Sequence, residues 1–211
     1  MITGLTLKTN RSNIFNNMYD RLNPKPDEYI IYEDNEPLSD HSMLSKLMRI
    51  GKNYNLAKKL IPNNTDYVFI LEDDVEVPIN IIDILYNDLI NYDADCITTV
   101  TKCRRTGAPM CWDSKFETIE NTGIKKIYAT SLNCLIIKKE LFDKMIFVGF
   151  DTAKNKPIDA NFFIMLNYFT DKIYCNYNVP TIHAYNQLYK GRYKCSKKII
   201  KNLLRKEPLL N

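Results

Sequence analysis

Three carboxylates stand side by side where an apolar run ends, in YVFILEDDVEVP over residues 67–78. Glu72, Asp73 and Asp74 repel one another, so a bound cation is the simplest reason for placing them together. Oxygen donors of this kind suit Mg2+ or Mn2+, hard ions that take one or two carboxylates and leave positions for phosphate oxygens. A second acidic pair, Glu33-Asp34, closes IIYEDN, a further carboxylate, Asp159, opens PIDANFFIML, and one of the 2 histidines, His183, ends VPTIH. A carboxylate such as Asp159 can take the proton of an attacking hydroxyl, and a helix N-terminus also favours a negative charge. Both accounts hold for this residue. In the same way an acidic strand end can be a solvated turn, Asp34 a turn former and His183 a core imidazole.

Periodicity outlines the elements that must carry these residues. ITGLTLKTN alternates and reads as a strand, and DEYIIYEDN over 27–35 as a second. A helical pattern runs from Asp40, a cap residue, through Leu44, Leu47, Met48, Leu56 and Leu60 to a stop at Pro62. Tyr67–Leu71 is β-branched and aromatic, a buried strand. Pro78 opens a helix with Ile82, Leu85, Tyr86 and Leu89 on one face. The order strand, strand, helix, strand, helix predicts an α/β fold with a parallel sheet covered by helices. In such sheets ligands bind beyond the carboxyl ends of the strands, where both acidic clusters lie. Farther on, DCITTVTKC reads as a strand, 104–122 as a long loop or hairpin, KIYATSLNCLIIKKELFDKM as a strand entering a short helix, and KIYCNYNVPTIH as a last strand.

Composition narrows the function. The chain has 211 residues, 45% hydrophobic and 26% charged, enough for one domain with a real core. With 6 Gly it has neither a G-x-G-x-x-G nor a Walker A loop. The net charge of +4 is concentrated after Lys190. The six cysteines form no C-x-x-C pair, so no structural zinc site is expected. Reduced thiols are expected, with a Cys103–Cys111 bridge as the alternative. No leader and no apolar run near 18 residues is seen, so a cytoplasmic protein is expected.

Taken in order, LKTNR, IIYEDN, GKNYNLAKK, VFILEDDVEVP, PIDANFFIML and VPTIH resemble the family-2-like nucleotide-sugar glycosyltransferases of the GT-A fold. The match runs from residue 2 to about 183, with 85 residues from Asp74 to Asp159 and 24 from Asp159 to His183. The resemblance implies a single GT-A-type α/β domain over 1–189, with a central, mostly parallel sheet flanked by helices. Its nucleotide-binding half would be 1–100 and its acceptor half 101–189, followed by a basic tail, 190–211. It implies Asp74 and His183 as ligands of Mn2+ or Mg2+. Thr9, Arg11, Asp34, Lys52, Glu72 and Asp73 would contact the nucleotide, and Asp159 would be the base of an inverting transfer. Glu72 departs from the pattern, which more often has Asp there. Lys52 can equally be a solvated helix lysine, and Trp112 either a core residue or a platform for a sugar ring.

The implied partners are a nucleoside-diphosphate sugar and a glycan, lipid-linked or protein acceptor, with no nucleic acid. The tail, CSKKIIKNLLRK, is amphipathic: it reads as a docked helix, as a peripheral membrane contact, or as a loop whose Lys190 and Arg192 meet the diphosphate. Three rival functions share parts of the pattern. A Mg2+-dependent phosphohydrolase fits poorly with Glu72 as its first acid, and a nucleotidyltransferase lacks its Gly- and basic-rich loop. A carbohydrate-binding protein of the same fold would lack the chemistry.

Overall fold

The computed structural model describes residues 1–8, 12–34, 42–103, 108–119, 121–151 and 156–183. Thr9, Arg11, Lys190 and Arg192 lie outside them, as does the whole basic tail. Twelve strands are present among the described residues: β1 (Ile2–Lys8), β2 (Glu28–Glu33), β3 (Tyr67–Leu71), β4 (Val75–Glu76), β5 (Cys96–Thr101), β6 (Cys111–Trp112), β7 (Ile124–Lys126), β8 (Ala129–Thr130), β9 (Cys134–Lys138), β10 (Phe150–Asp151), β11 (Lys156–Pro157) and β12 (Ile173–His183). The helices are α1 (Ser12–Arg21), α2 (Met43–Ala57), α3 (Ile81–Asn91), α4 (Lys139–Phe142) and α5 (Ile158–Leu166).

The central sheet has the order β2-β1-β3-β9-β5-β12-β4, with β7 also paired to β12. Strands β1, β2, β3, β5 and β12 share one direction, while β9, β7 and β4 run against them. The expected mixed α/β architecture with a central, mostly parallel sheet is therefore present.

Strand β3 is apolar throughout because both faces of the sheet are covered. Val68 and Ile70 point into a core with Tyr54 and Ala57 of α2, Phe142 of α4, and Phe162, Phe163 and Leu166 of α5. Phe69 and Leu71 point the other way, onto Phe15 and Met18 of α1 and Ile82, Leu85 and Leu89 of α3. Helix α1 has no counterpart in the sequence reading. Its sequence, SNIFNNMYDR, has one Ser and three Asn, poor helix formers, yet Phe15, Met18 and Leu22 recur at helical spacing and are buried. Helix α2 begins later than expected: Ser42 caps it, its Oγ accepting the Ser45 N–H at 3.2 Å. The stretch from Lys126 expected as one strand before α4 holds the last residue of β7 and then two strands, β8 and β9, with breaks at 127–128 and 131–133.

Among the described residues Cys96, Cys103, Cys111, Cys134 and Cys175 form no disulfide with one another, so the alternative Cys103–Cys111 bridge is absent. Among the described residues no helix is long and apolar enough to cross a membrane.

Helix α2 meets the chain after α4 at a glycine. A Cβ on Gly149 would lie 2.0 Å from Leu47 O and 2.5 Å from Leu47 C, helix backbone that cannot step aside. Gly149→Ala is expected to lower stability by about 2–3 kcal/mol, measured by urea denaturation.

Candidate active site

The parallel register brings distant acids to one edge. Lys8 is level with Glu33, and Leu5 with both Ile30 and Ile70, so Glu33-Asp34 and Glu72-Asp73-Asp74 leave the sheet together. Lys8 forms an ion pair with Glu33. Glu72 is half-buried, whereas Asp73 and Asp74 are only 5% and 3% exposed. The three sit in a tight turn, closed by the Val75 N–H donating to Glu72 O at 3.3 Å. Strand β4 follows at once and pairs with the end of β12, Val75 opposite His183. The main chain of His183 thus lies beside Val75, the residue that follows Asp74 and stands 108 positions earlier in the sequence.

Asp159 stands in the first turn of α5. The Leu132 N–H hydrogen-bonds its carboxylate, but burial outweighs that bond and pushes the carboxyl up to about 6. Asn133, the next residue, accepts the Glu72 N–H on its carbonyl at 2.9 Å. One short segment between β8 and β9 therefore touches both acids. Ser131, at its start, is buried, and its hydroxyl has no hydrogen-bond partner among the described residues.

Tyr54 of α2 lies under this convergence. Its ring stacks on Phe147 with centroids 4.6 Å apart. Burial holds its phenol well above the usual range, and Glu72, Asp159 and Asp73 push it further in the same direction. Carboxylates from both halves of the chain thus act on one phenol, which remains a neutral hydroxyl at neutral pH.

Asp34 is held from α2 by two residues that the sequence reading did not single out. Arg49 forms an ion pair with it, and Asn53 Nδ2 donates to Oδ2 at 2.7 Å. Arg49 and Asn53 are four apart and share a helix face. Lys52, inside the same GKNYN motif, is on the exposed side. Trp112 is half-buried against the core at β6. The structure thus brings Glu72, Asp73, Asp74 and Asp159 to one edge with the main chain of His183, while Asp34 stands beside them on the next strand but one.

Among the described residues no three His, Cys, Asp or Glu side chains form a ready metal site. The donors nevertheless fit a hard divalent ion, which can be held by one or two carboxylates together with phosphate oxygens and water. The buried hydroxyl of Ser131, without a hydrogen-bond partner among the described residues, also suits a region completed by a ligand.

No family model and no curated protein matches the chain. Solved structures do. A197 from STIV superposes with a TM-score of 0.57 at 14% identity, covering 86% of this chain and 84% of that one. S. aureus TarS 1-349 in complex with UDP-GlcNAc gives 0.57 at 13% identity, covering 86% of this chain and 58% of that one. The same protein in complex with UDP gives 0.57 at 12%, covering 86% and 60%. The chain spans less than two thirds of TarS 1-349. At these identities the likeness is one of fold, and the fold is GT-A-like.

Proposed function

We propose that the chain is a glycosyltransferase that moves a sugar from a nucleoside-diphosphate donor to an acceptor hydroxyl, with inversion at C1. The observation that carries this reading is the convergence of Glu72, Asp73 and Asp159 on Tyr54, beside the main-chain pairing of Val75 and His183. The GT-A-like fold supports it, as do the UDP and UDP-GlcNAc bound to TarS, which make uridine nucleotides the first donors to try.

Asp74, with His183, would hold Mn2+ or Mg2+, which offsets the charge of the diphosphate when bound. Glu72 and Asp73 would contact the ribose or the ion's waters, and Asp34, fixed by Arg49 and Asn53, the base. Asp159 takes the acceptor hydroxyl proton as the new O–C1 bond forms. The bond from C1 to the diphosphate oxygen breaks in the same displacement, and the nucleoside diphosphate leaves. Thr9, Arg11, Lys52, Lys190 and Arg192 are proposed contacts to the nucleotide. The acceptor is a glycan, a lipid-linked sugar or a protein.

Titration of the chain with a panel of nucleotide sugars, with and without Mn2+, tests this. At least one donor is expected to bind in the micromolar range with the ion and at least about tenfold more weakly in EDTA. Absence of binding across the panel in Mn2+ would overturn the reading.

A further inference from the structure

The loop from Asp143 to Gly149 lies between α2 and α5, and its side chains alternate. Met145 and Phe147 are buried, while Ile146 and Val148 are 60% and 37% exposed. Just past α5, Tyr168 and Phe169 are 81% and 48% exposed. Lys144 Nζ sits 5.3 Å from the centroid of the Phe169 ring, which ties the loop to the end of that helix.

The backbone of this loop is hydrogen-bonded by side chains of α2, of the turn after it and of α5. Lys58 Nζ donates to Asp143 O at 3.0 Å and to Met145 O at 2.7 Å. Asn55 donates from Nδ2 to Phe147 O and accepts the Phe147 N–H on Oδ1, both at 2.9 Å. Asn161 Nδ2 donates to Val148 O at 3.3 Å, and the Ile146 N–H points at Met165 Sδ at 3.3 Å. A loop facing water needs no such arrangement, because solvent satisfies its amides and carbonyls. A loop that enters an apolar medium does need it, and isoleucine and valine at the outward positions agree. Positive charge rims the face. The hydrogen bonds of Lys58 go to carbonyls and Lys144 lies over a ring, while Lys139 pairs with Asp143.

We propose that this face docks on an anionic lipid surface, with Ile146, Val148 and Phe169 entering the interface and Lys144 meeting the headgroups. The attachment needs no donor, no metal and no contribution from the basic tail. The loop is held by the same helix that carries the candidate base: Asn161, which donates to Val148 O, follows Asp159 in α5.

Co-sedimentation of the full chain with vesicles of phosphatidylcholine, alone or mixed with phosphatidylglycerol, tests the proposal. The protein is expected to pellet with the mixed vesicles and less with phosphatidylcholine alone. Ile146→Asp and Phe169→Asp should each weaken partitioning by about tenfold or more, because each removes a buried apolar side chain from the lipid. Val148→Ser, a milder change, should weaken it in the same direction. Lys144→Glu should cut the preference for the mixed vesicles several-fold. These positions are surface-exposed, and unchanged thermal melting would show that the fold is kept. The tail is intact in every variant, so attachment through the tail alone predicts no loss. Variants that pellet like the wild type, or a wild type that stays in the supernatant and so points to a protein partner, would overturn the proposal. Neither result bears on donor binding.

Discussion

Asp159→Asn is expected to lower turnover by about 10²- to 10⁴-fold while leaving donor affinity nearly unchanged. Asparagine keeps the size and can still accept the Leu132 N–H, but it cannot take a proton. The wild-type pH profile should identify the group. With the carboxyl pushed up to about 6, kcat/KM should rise through that pH and level off above it, while the residual activity of the variant should not follow that limb.

Stability should move the opposite way. The folded-state value of about 6 lies above the usual carboxylate range of about 4, so the native state binds more protons between them. Stability contributed by the protonated form is complete below about pH 4 and is lost as the pH rises to about 6. The asparagine variant lacks this loss and should be more stable at pH 7, by about 1–3 kcal/mol in urea denaturation. A merely structural Asp159 would give the reverse pattern: a less stable variant with nearly full activity. The product anomer should be opposite to that of the donor, and retention at C1 would exclude Asp159 as the base of a single displacement.

Asp74→Ala should abolish metal-dependent binding of nucleoside diphosphate. A drop of at least about 10²-fold in affinity for the Mn2+–diphosphate complex is expected, since losing even an outer partner of a metal ligand costs 10–100-fold. In EDTA the two proteins should bind nucleoside diphosphate equally, which separates loss of the ion from damage to the nucleotide site. Titration calorimetry measures both. Equal affinity of mutant and wild type for the Mn2+ complex would remove Asp74 from the ion's shell.

Much of this architecture is legible in the chain. Strand β3 announces itself because an uninterrupted β-branched and aromatic run needs cover on both faces, and adjacent carboxylates at its end are conspicuous. Asp159 and His183 each stand at the boundary of an apolar stretch, which is what draws notice to them in the sequence. What escapes sequence reading is what depends on distance in the chain. Nothing local tells that Leu132 and Asn133 reach Asp159 and Glu72, or that Tyr54 lies beneath them. Arg49 and Asn53 are ordinary polar residues until Asp34 is placed opposite them. Lys52 drew notice because of its neighbours in the motif, whereas the helix turns its partners at 49 and 53 towards the site. Helix α1 escaped for a different reason: packing of Phe15, Met18 and Leu22 overrides the poor intrinsic propensity of the Asn-rich segment around them.

The pairing of β4 with β12 is confined to Ile182↔Glu76 and His183↔Val75. Such a brief ladder, at the sheet margin and beside a cluster of negative charge, should be among the first parts of the sheet to open. Its amides are thus expected to exchange with deuterium faster than those of β3 or β5, whose neighbours flank them on both sides. This corner also joins the acidic turn to the end of β12. A ligand gripped by the turn would therefore slow exchange at Ile182 and His183 as well, making the last rungs of β12 a reporter of occupancy for a site formed mostly elsewhere.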